Sequence, residues 1–354
     1  SLDSFGSFSD CEIGACWSLL EYIKLTQKVN LPPIRFPKSI KTESNMQIDP
    51  FTRKSLEISE TLHGERKGSL LYAIDRTLTA AGARQLDKDI SSPLTSVEKI
   101  ERRLVMLECL YNNKTIKENL RELLKNSADI GRAKARIIFG RGDPKDLLSI
   151  KMGIITGKKL KKEFQNSIKE KEKKDFDNII NFLGSCDKLH GVLNDAIAEK
   201  LPSNSSEGGF IAEGYSSKLD KLRELRNESR KYILELETKE KNIVGIPTLK
   251  IKYNNILGHF FELTQLQKEK FIKTKDYERF IPRQSLKGVA RFTTEKLSKL
   301  SESINNAAQQ SLEIELKIFE ELKEIIYENS ENLSNISESI ARIDVLSSLA
   351  DLAM

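Results

Sequence analysis

Through most of the chain, apolar residues recur at helical spacing, and in one short stretch they switch to alternation. Ile13–Lys28 carries Ala15, Leu19, Leu20, Ile23 and Leu25, a single helix whose apolar side is expected to dock elsewhere. Leu31-Pro32-Pro33 ends it, and Arg35–Ser44 reads as extended linker. Short helices follow. Asp49-Pro50 is a capping residue followed by proline at the first helical position, with Leu56 and Ile58 beyond it. The apolar run Ser69–Asp75 leads to Thr79, a cap for Ala80–Ile90. Thr95 and Glu98 form a capping-box pattern that opens Thr95–Tyr111, with Val97, Ile100, Leu104, Leu107 and Leu110 expected on its buried face. Ile116–Leu124 and Asp146–Leu160 add helix, Lys158–Lys174 is read as a solvated helical face, and Leu201–Gly209 is the clearest loop.

Two longer helices dominate the second half. Tyr215–Ile243 shows steps of three and four at Leu222, Leu225, Ser229, Tyr232 and Leu236, a coiled-coil seam. Glu295–Asn329 repeats the pattern at Leu297, Leu300, Ile304, Ala307, Ser311, Ile314 and Ile318. At 1.5 Å per residue these helices span about 44 and about 52 Å. Between them, Leu249, Ile251 and Tyr253 alternate with Lys250 and Lys252. Asn254-Asn255 and Gly258 supply a turn, His259–Thr264 a second strand, and Phe280–Leu286 with Val289–Thr293 a hairpin around Lys287-Gly288. The expected fold is mainly α: a helical core with two long antiparallel lever helices carrying a small antiparallel β element at the tip.

Charge changes this picture most where the alternation lies. Residues 244–300 hold 12 Lys and Arg against 5 Asp and Glu, a local charge of +7 in a chain of +6, so the remaining residues sum to −1. A concentrated positive surface suits a polyanion such as nucleic acid. The hydrophobic share of 38% with 31% charged residues is low for a compact globe and suits long solvated helices. The four cysteines form no CxxC pair and stand far from the histidines, which argues against zinc and for free thiols in a reducing cytoplasm. No apolar run approaches the roughly 18 residues of a membrane span, and no secretory signal is visible. Gly153–Lys158 imitates a phosphate loop but lacks its spacing and its Ser/Thr, and His63, His190 and His259 are isolated from any nucleophile. Arg141-Gly142-Asp143 is a turn before Pro144. The apolar helical spacing of Ile343–Met354 continues to the last residue, so the chain is expected to be a piece of a longer protein without chemistry of its own.

Several stretches, in order over about 300 residues, resemble the MutS family of DNA mismatch-repair proteins. Met46–Glu57 and Leu71–Leu86 resemble the opening blocks of the family's core domain. Gly208–Tyr215 with Leu219-Asp220 is similar to the approach to its clamp, and Thr248–Asn254 and Gly258–Thr264 to the first clamp strands. Arg283–Lys287 with Arg291-Phe292 resembles the clamp hairpin that faces DNA, and Ile343–Ala350 the end of the core. The chain departs from the family at Pro282 (usually arginine), Gly288 (asparagine), Ala290 (glutamate) and Asp87-Lys88-Asp89 (a more basic and aromatic pattern). Phe260-Phe261-Glu262 spells the family's Phe-x-Glu wedge, which belongs to a different domain, so it is read as coincidence.

The resemblance implies the end of a connector domain and linker at 1–43, core at 44–213, clamp with outgoing lever at 214–300, and returning lever with the end of the core at 301–354. It implies backbone contacts to duplex DNA from Lys250, Lys252, Arg283, Gln284, Lys287 and Arg291, without sequence preference. For the full-length protein it implies a homodimer, a MutL-type partner, and a DNA-dependent ATPase using ATP and Mg. Two other readings remain at this stage: a coiled-coil scaffold whose basic head meets an acidic protein, and a MutS paralogue serving recombination.

Overall fold

The computed structural model describes residues 8–26, 34, 37, 45–168, 170–202, 204–254, 257–286 and 288–354. The linker features at Leu31–Pro33 and, apart from Pro37, Arg35–Ser44, together with Asn255 and Lys287, lie outside the described residues. Ten helices come first: α1 (Asp10–Thr26), α2 (Pro50–Ser55), α3 (Leu70–Ile74), α4 (Ala80–Ser91), α5 (Val97–Asn112), α6 (Lys114–Lys125), α7 (Ile130–Ile138), α8 (Pro144–Ser167), α9 (Glu170–Phe182) and α10 (Asp187–Ala196). After α11 (Ser217–Val244) come β1 (Lys250–Asn254), β2 (Gly258–Thr264), α12 (Gln265–Phe271), β3 (Ile281–Leu286) and β4 (Val289–Thr293). The long α13 (Glu295–Glu328) and α14 (Ser330–Leu352) complete the chain. The protein is mainly α with one small antiparallel sheet. It divides into two compact units, residues 1–197 with 321–354, and residues 198–320. No helix among the described residues is long and apolar enough to cross a membrane.

The first unit is built around α14, which meets α4, α5, α6, α7, α8 and α9. Its sequence explains that place: Leu333, Ile336, Ile340, Ile343, Val345 and Leu346 are distributed around the helix and all buried, with small Ser334, Ser339, Ser347 and Ser348 between them. A helix apolar on every side belongs inside. Asp344 sits at its middle, fully enclosed. Its carboxylate accepts the backbone N–H of Leu78 at 3.0 Å and of Thr79 at 2.7 Å, and the Thr79 hydroxyl at 2.7 Å. Thr79 in turn caps α4 by accepting the Gly82 N–H, so one buried acid and one threonine close the start of that helix. Asp89, one of the departures noted above, is paired with Arg342, and Asp87 accepts the Ser59 hydroxyl, so these acids are partnered inside the chain.

Gly153–Lys158 lies inside α8, not in a loop. A Cβ on Gly153 would collide with the Ile130 side chain, and one on Gly157 would press on the Leu183 carbonyl at 3.1 Å. These glycines therefore let neighbouring elements approach α8 closely. Gly153→Ala is expected to lower stability by about 1–2 kcal/mol, because overpacking of about 1–3 kcal/mol exceeds the helix-propensity gain of up to about 1 kcal/mol. A chemical-denaturation midpoint unchanged or raised by the substitution would contradict this packing account.

Two expectations for α5 change. The helix starts one residue late, capped by Ser96, which accepts the Lys99 N–H, and not by Thr95. Val97, Ile100 and Leu104 are exposed, and the buried stripe is Met106, Cys109 and Leu110. Only the second half of α5 is covered by neighbours on that line, and Arg103 is drawn toward Asp89 at 3.6 Å.

In the second unit the chain leaves α11 at Val244, builds the sheet and returns through α13. The sheet order is β1-β2-β4-β3, antiparallel throughout. Its inner face, with Phe261, Leu263, Ala290 and Phe292, packs on Ile233 and Leu236 of α11 and on Leu297 and Ile304 of α13. Phe271 of α12 and Phe280 fill the remaining space, with ring centroids 4.9 Å apart. The two helices run antiparallel: Arg223 of α11 pairs with the buried Glu315 of α13 at 2.9 Å, far along both from the sheet. Glu315 also accepts the N–H groups of Gly209 and Phe210, which fastens the segment leading to α11.

The α13 seam lies where its spacing puts it: Leu297, Ile304, Ala307, Ser311 and Ile318 are buried. The α11 seam does not. Leu236 is buried, but Leu225 and Tyr232 are exposed, and Leu219, Ile233 and Glu240 take the alternate positions. The same three-and-four steps are kept in the opposite phase, and the polar Glu240, paired with Arg279 at 3.4 Å, hid that phase in the sequence.

Candidate nucleic-acid interface

Strand register decides which side chains share the outer face of the sheet. Lys250 stands opposite Glu262, Glu262 opposite Arg291, and Arg291 opposite Gln284. Lys252 lies two residues along β1 from Lys250, on the same side and within diagonal reach. The result is a row of contacts across all four strands. The Lys252 ammonium donates to Glu262 Oε1 at 2.7 Å, Arg291 Nε donates to Glu262 Oε2 at 3.2 Å, and Arg291 Nη1 donates to Gln284 Oε1 at 2.8 Å. Beneath the row, the Arg291 guanidinium lies over the Phe260 ring at 4.7 Å, a cation–π contact that covers the ring. The Lys252 hydrogen bond, aided by Arg291, holds the Glu262 carboxyl below its usual range, so it is ionised at neutral pH.

Beyond the last pairing lies a feature that periodicity does not reveal. Continued regularly from the turn, the hairpin would set Arg283 opposite Phe292; instead the register shifts between Pro282 and Gln284, Pro282 takes that place, and Arg283 becomes the extra residue of a β-bulge. Arg283 is exposed and has no acidic partner among the described residues. Of the six residues singled out, Lys250, Lys252, Gln284 and Arg291 gather on one face, Arg283 stands beside them in the bulge, and Lys287 lies outside the described residues. Glu262 was not among them, because its cationic partners become its neighbours only once the strands are paired.

Other expectations are refined here. Tyr253, on the same side of β1 as Ile251, is nonetheless exposed; its ring packs against His259 with centroids 4.9 Å apart at the end of the β1–β2 pair. The His259 N–H donates to Ser301 Oγ at 3.1 Å, which ties the turn to α13. Phe260 and Phe261 are both buried and Glu262 is paired, so the Phe-x-Glu triplet is occupied by structural contacts. Gly288 has φ +92°, a left-handed conformation that glycine adopts without strain. Ala290 is enclosed among the apolar residues of the inner face, so its difference from the family bears on packing and not on the charge of the outer face.

The fold and the site define a class: a helical protein holding a small, basic-faced antiparallel sheet between two long helices. The chain belongs to the MutS domain III family, whose model matches residues 51–350. It is similar to the DNA mismatch repair protein MutS of Cereibacter sphaeroides, 36% identical over 354 residues, covering 100% of this chain and 40% of that protein. It is likewise similar to MutS of Bartonella henselae (38% identical, 100% of this chain and 38% of that protein) and of Paracoccus denitrificans (36%, 100% and 40%). The chain thus spans about two-fifths of the length of the curated relatives it matches.

Proposed function

We propose that this chain is the core, lever and clamp portion of a DNA mismatch-repair protein, and that its sheet holds duplex DNA by the phosphate backbone. The carrying observation is the outer face, where Lys250, Lys252 and Arg291 share one surface and Arg283 protrudes from the bulge beside it. Guanidinium and ammonium groups suit phosphate oxygens. The side chains that reach out are few and partly tied to one another, which suits contacts that position a duplex without reading its bases. In this reading α11 and α13 are the levers, residues 44–213 are the first part of the core, residues 214–300 the clamp with its outgoing lever, residues 301–354 the returning lever and the end of the core, and the first 43 residues end a connector. The whole protein would act as a cytoplasmic homodimer with a MutL-type partner and hydrolyse ATP with Mg. The helical Gly153–Lys158 segment, its glycines filled by Ile130 and Leu183, does not fit a phosphate-cradling loop.

The test is binding of the chain to a plain 30-base-pair duplex across a salt series. Weak binding is expected, with a slope equivalent to about 3–5 phosphates neutralised and no preference for a mismatch. Arg283→Glu is expected to weaken it about tenfold at low salt and to lower the slope by about one phosphate. Binding indifferent to salt and to this substitution would instead favour an acidic protein as the partner of the basic face.

A further inference from the structure

The row across the outer face contains one anion among its cations, placed where a bound phosphate would be expected to sit. Glu262 Oε1 is 2.7 Å from the Lys252 ammonium and Glu262 Oε2 is 3.2 Å from Arg291 Nε. The pair geometry is built by the strands, since Glu262 and Arg291 are register partners and Lys252 lies diagonally across β1. The Lys252 side chain is 55% exposed and that of Arg291 20%, so both can be approached from solvent while held by the carboxylate.

We propose that Glu262 is an internal competitor of the DNA phosphate, a positioning residue that limits how tightly the face holds a duplex. The inference rests on the reading of this face as a phosphate-binding surface. An ion pair at this exposure is worth no more than about fivefold in an equilibrium constant, so a phosphate can displace the carboxylate or share its cations. While Glu262 stays ionised, an arriving phosphate meets cations already half neutralised. Its hydrogen bonds also hold Lys252 in place and Arg291 over Phe260, so the face stays ordered between encounters. Such an arrangement favours weak, quickly broken contacts.

Glu262→Gln removes the charge and leaves a single carbonyl oxygen as acceptor, so one of Lys252 and Arg291 keeps an ordering partner while the other is freed. The duplex should bind about three- to tenfold more tightly at low ionic strength, with a log K against log[salt] slope steeper by about one phosphate. Glu313→Gln makes the same change in net charge at an exposed position on α13, about 27 Å along that helix from its first residue. It should leave affinity within about twofold, since a charge so distant is screened. If Arg283→Glu weakens binding while Glu262→Gln leaves it equal or weaker, the competitor role is overturned and the phosphate surface stands. If the parent chain shows no salt-dependent binding, or Arg283→Glu has no effect, the surface itself is overturned and the role of Glu262 with it.

Discussion

Truncating Asp344 to alanine should lower the stability of the helical unit by on the order of 3 kcal/mol. The carboxylate is the acceptor for the Leu78 and Thr79 N–H groups and for the Thr79 hydroxyl, all at the buried start of α4. Each donor left without a partner in the interior costs about 1–3 kcal/mol, and water entering the hole can recover only part of this. Differential scanning calorimetry should show the transition of this unit moving down, and hydrogen exchange should show the first turn of α4 opening first. A loss under about 1 kcal/mol would mean that the donors find other partners.

The same residue gives a pH signature. Burial pushes the Asp344 carboxyl above its usual range, more than its hydrogen bonds pull it down. The folded protein therefore takes up this proton before the unfolded chain does. The stability contributed by Asp344 is full below the unfolded value of about 3.9 and is lost as pH rises through the higher folded value. The gap between parent and Asp344→Ala should thus be wider near about pH 4 than near about pH 7.5. Comparing the two proteins at each pH cancels the titration of groups that they share.

Phe261→Ala should cost the sheet-bearing unit about 3–5 kcal/mol. Phe261 is fully enclosed, 5.1 Å from the Phe280 ring, and stands opposite Phe292 in the β2–β4 pair. The hole would open where the sheet meets α11 and α13, and a sheet of four short strands has little other apolar area with which to close it. Near-ultraviolet circular dichroism and the unfolding midpoint of this unit should both change, while the unit built on α14 keeps its own transition. Equal loss in both transitions would show that the units unfold as one.

What the sequence revealed follows from what each element buries. The α13 seam was legible because Leu297, Ile304, Ala307 and Ile318 occupy it in unbroken steps. The α11 phase was not, because Glu240 fills a buried position while Leu225 and Tyr232 sit in solvent, so hydrophobicity pointed to the wrong line. On α5 the apolar stripe is present but only its second half finds a neighbour, which is a tertiary fact. The alternation of Lys250 and Lys252 located the outer face, yet the shift of register at Arg283 did not show. A bulge leaves little trace in polarity alone and becomes visible only when partners are assigned. The ion pairs of Glu262 were hidden for the same reason: Lys252, Glu262 and Arg291 are distant in sequence and adjacent only after pairing.

Any open sheet exposes unsatisfied N–H and C=O groups along its two outermost strands, a template for runaway association with other copies. Here those strands are β1 and β3. β1 carries Lys250 and Lys252, whose charges repel an identical neighbour. β3 contains Pro282, which has no N–H to offer, followed at once by the bulge that breaks the regular row of donors. A proline at this place leaves the row of donors on β3 one short, so a second copy of the sheet finds a poorer template for pairing there.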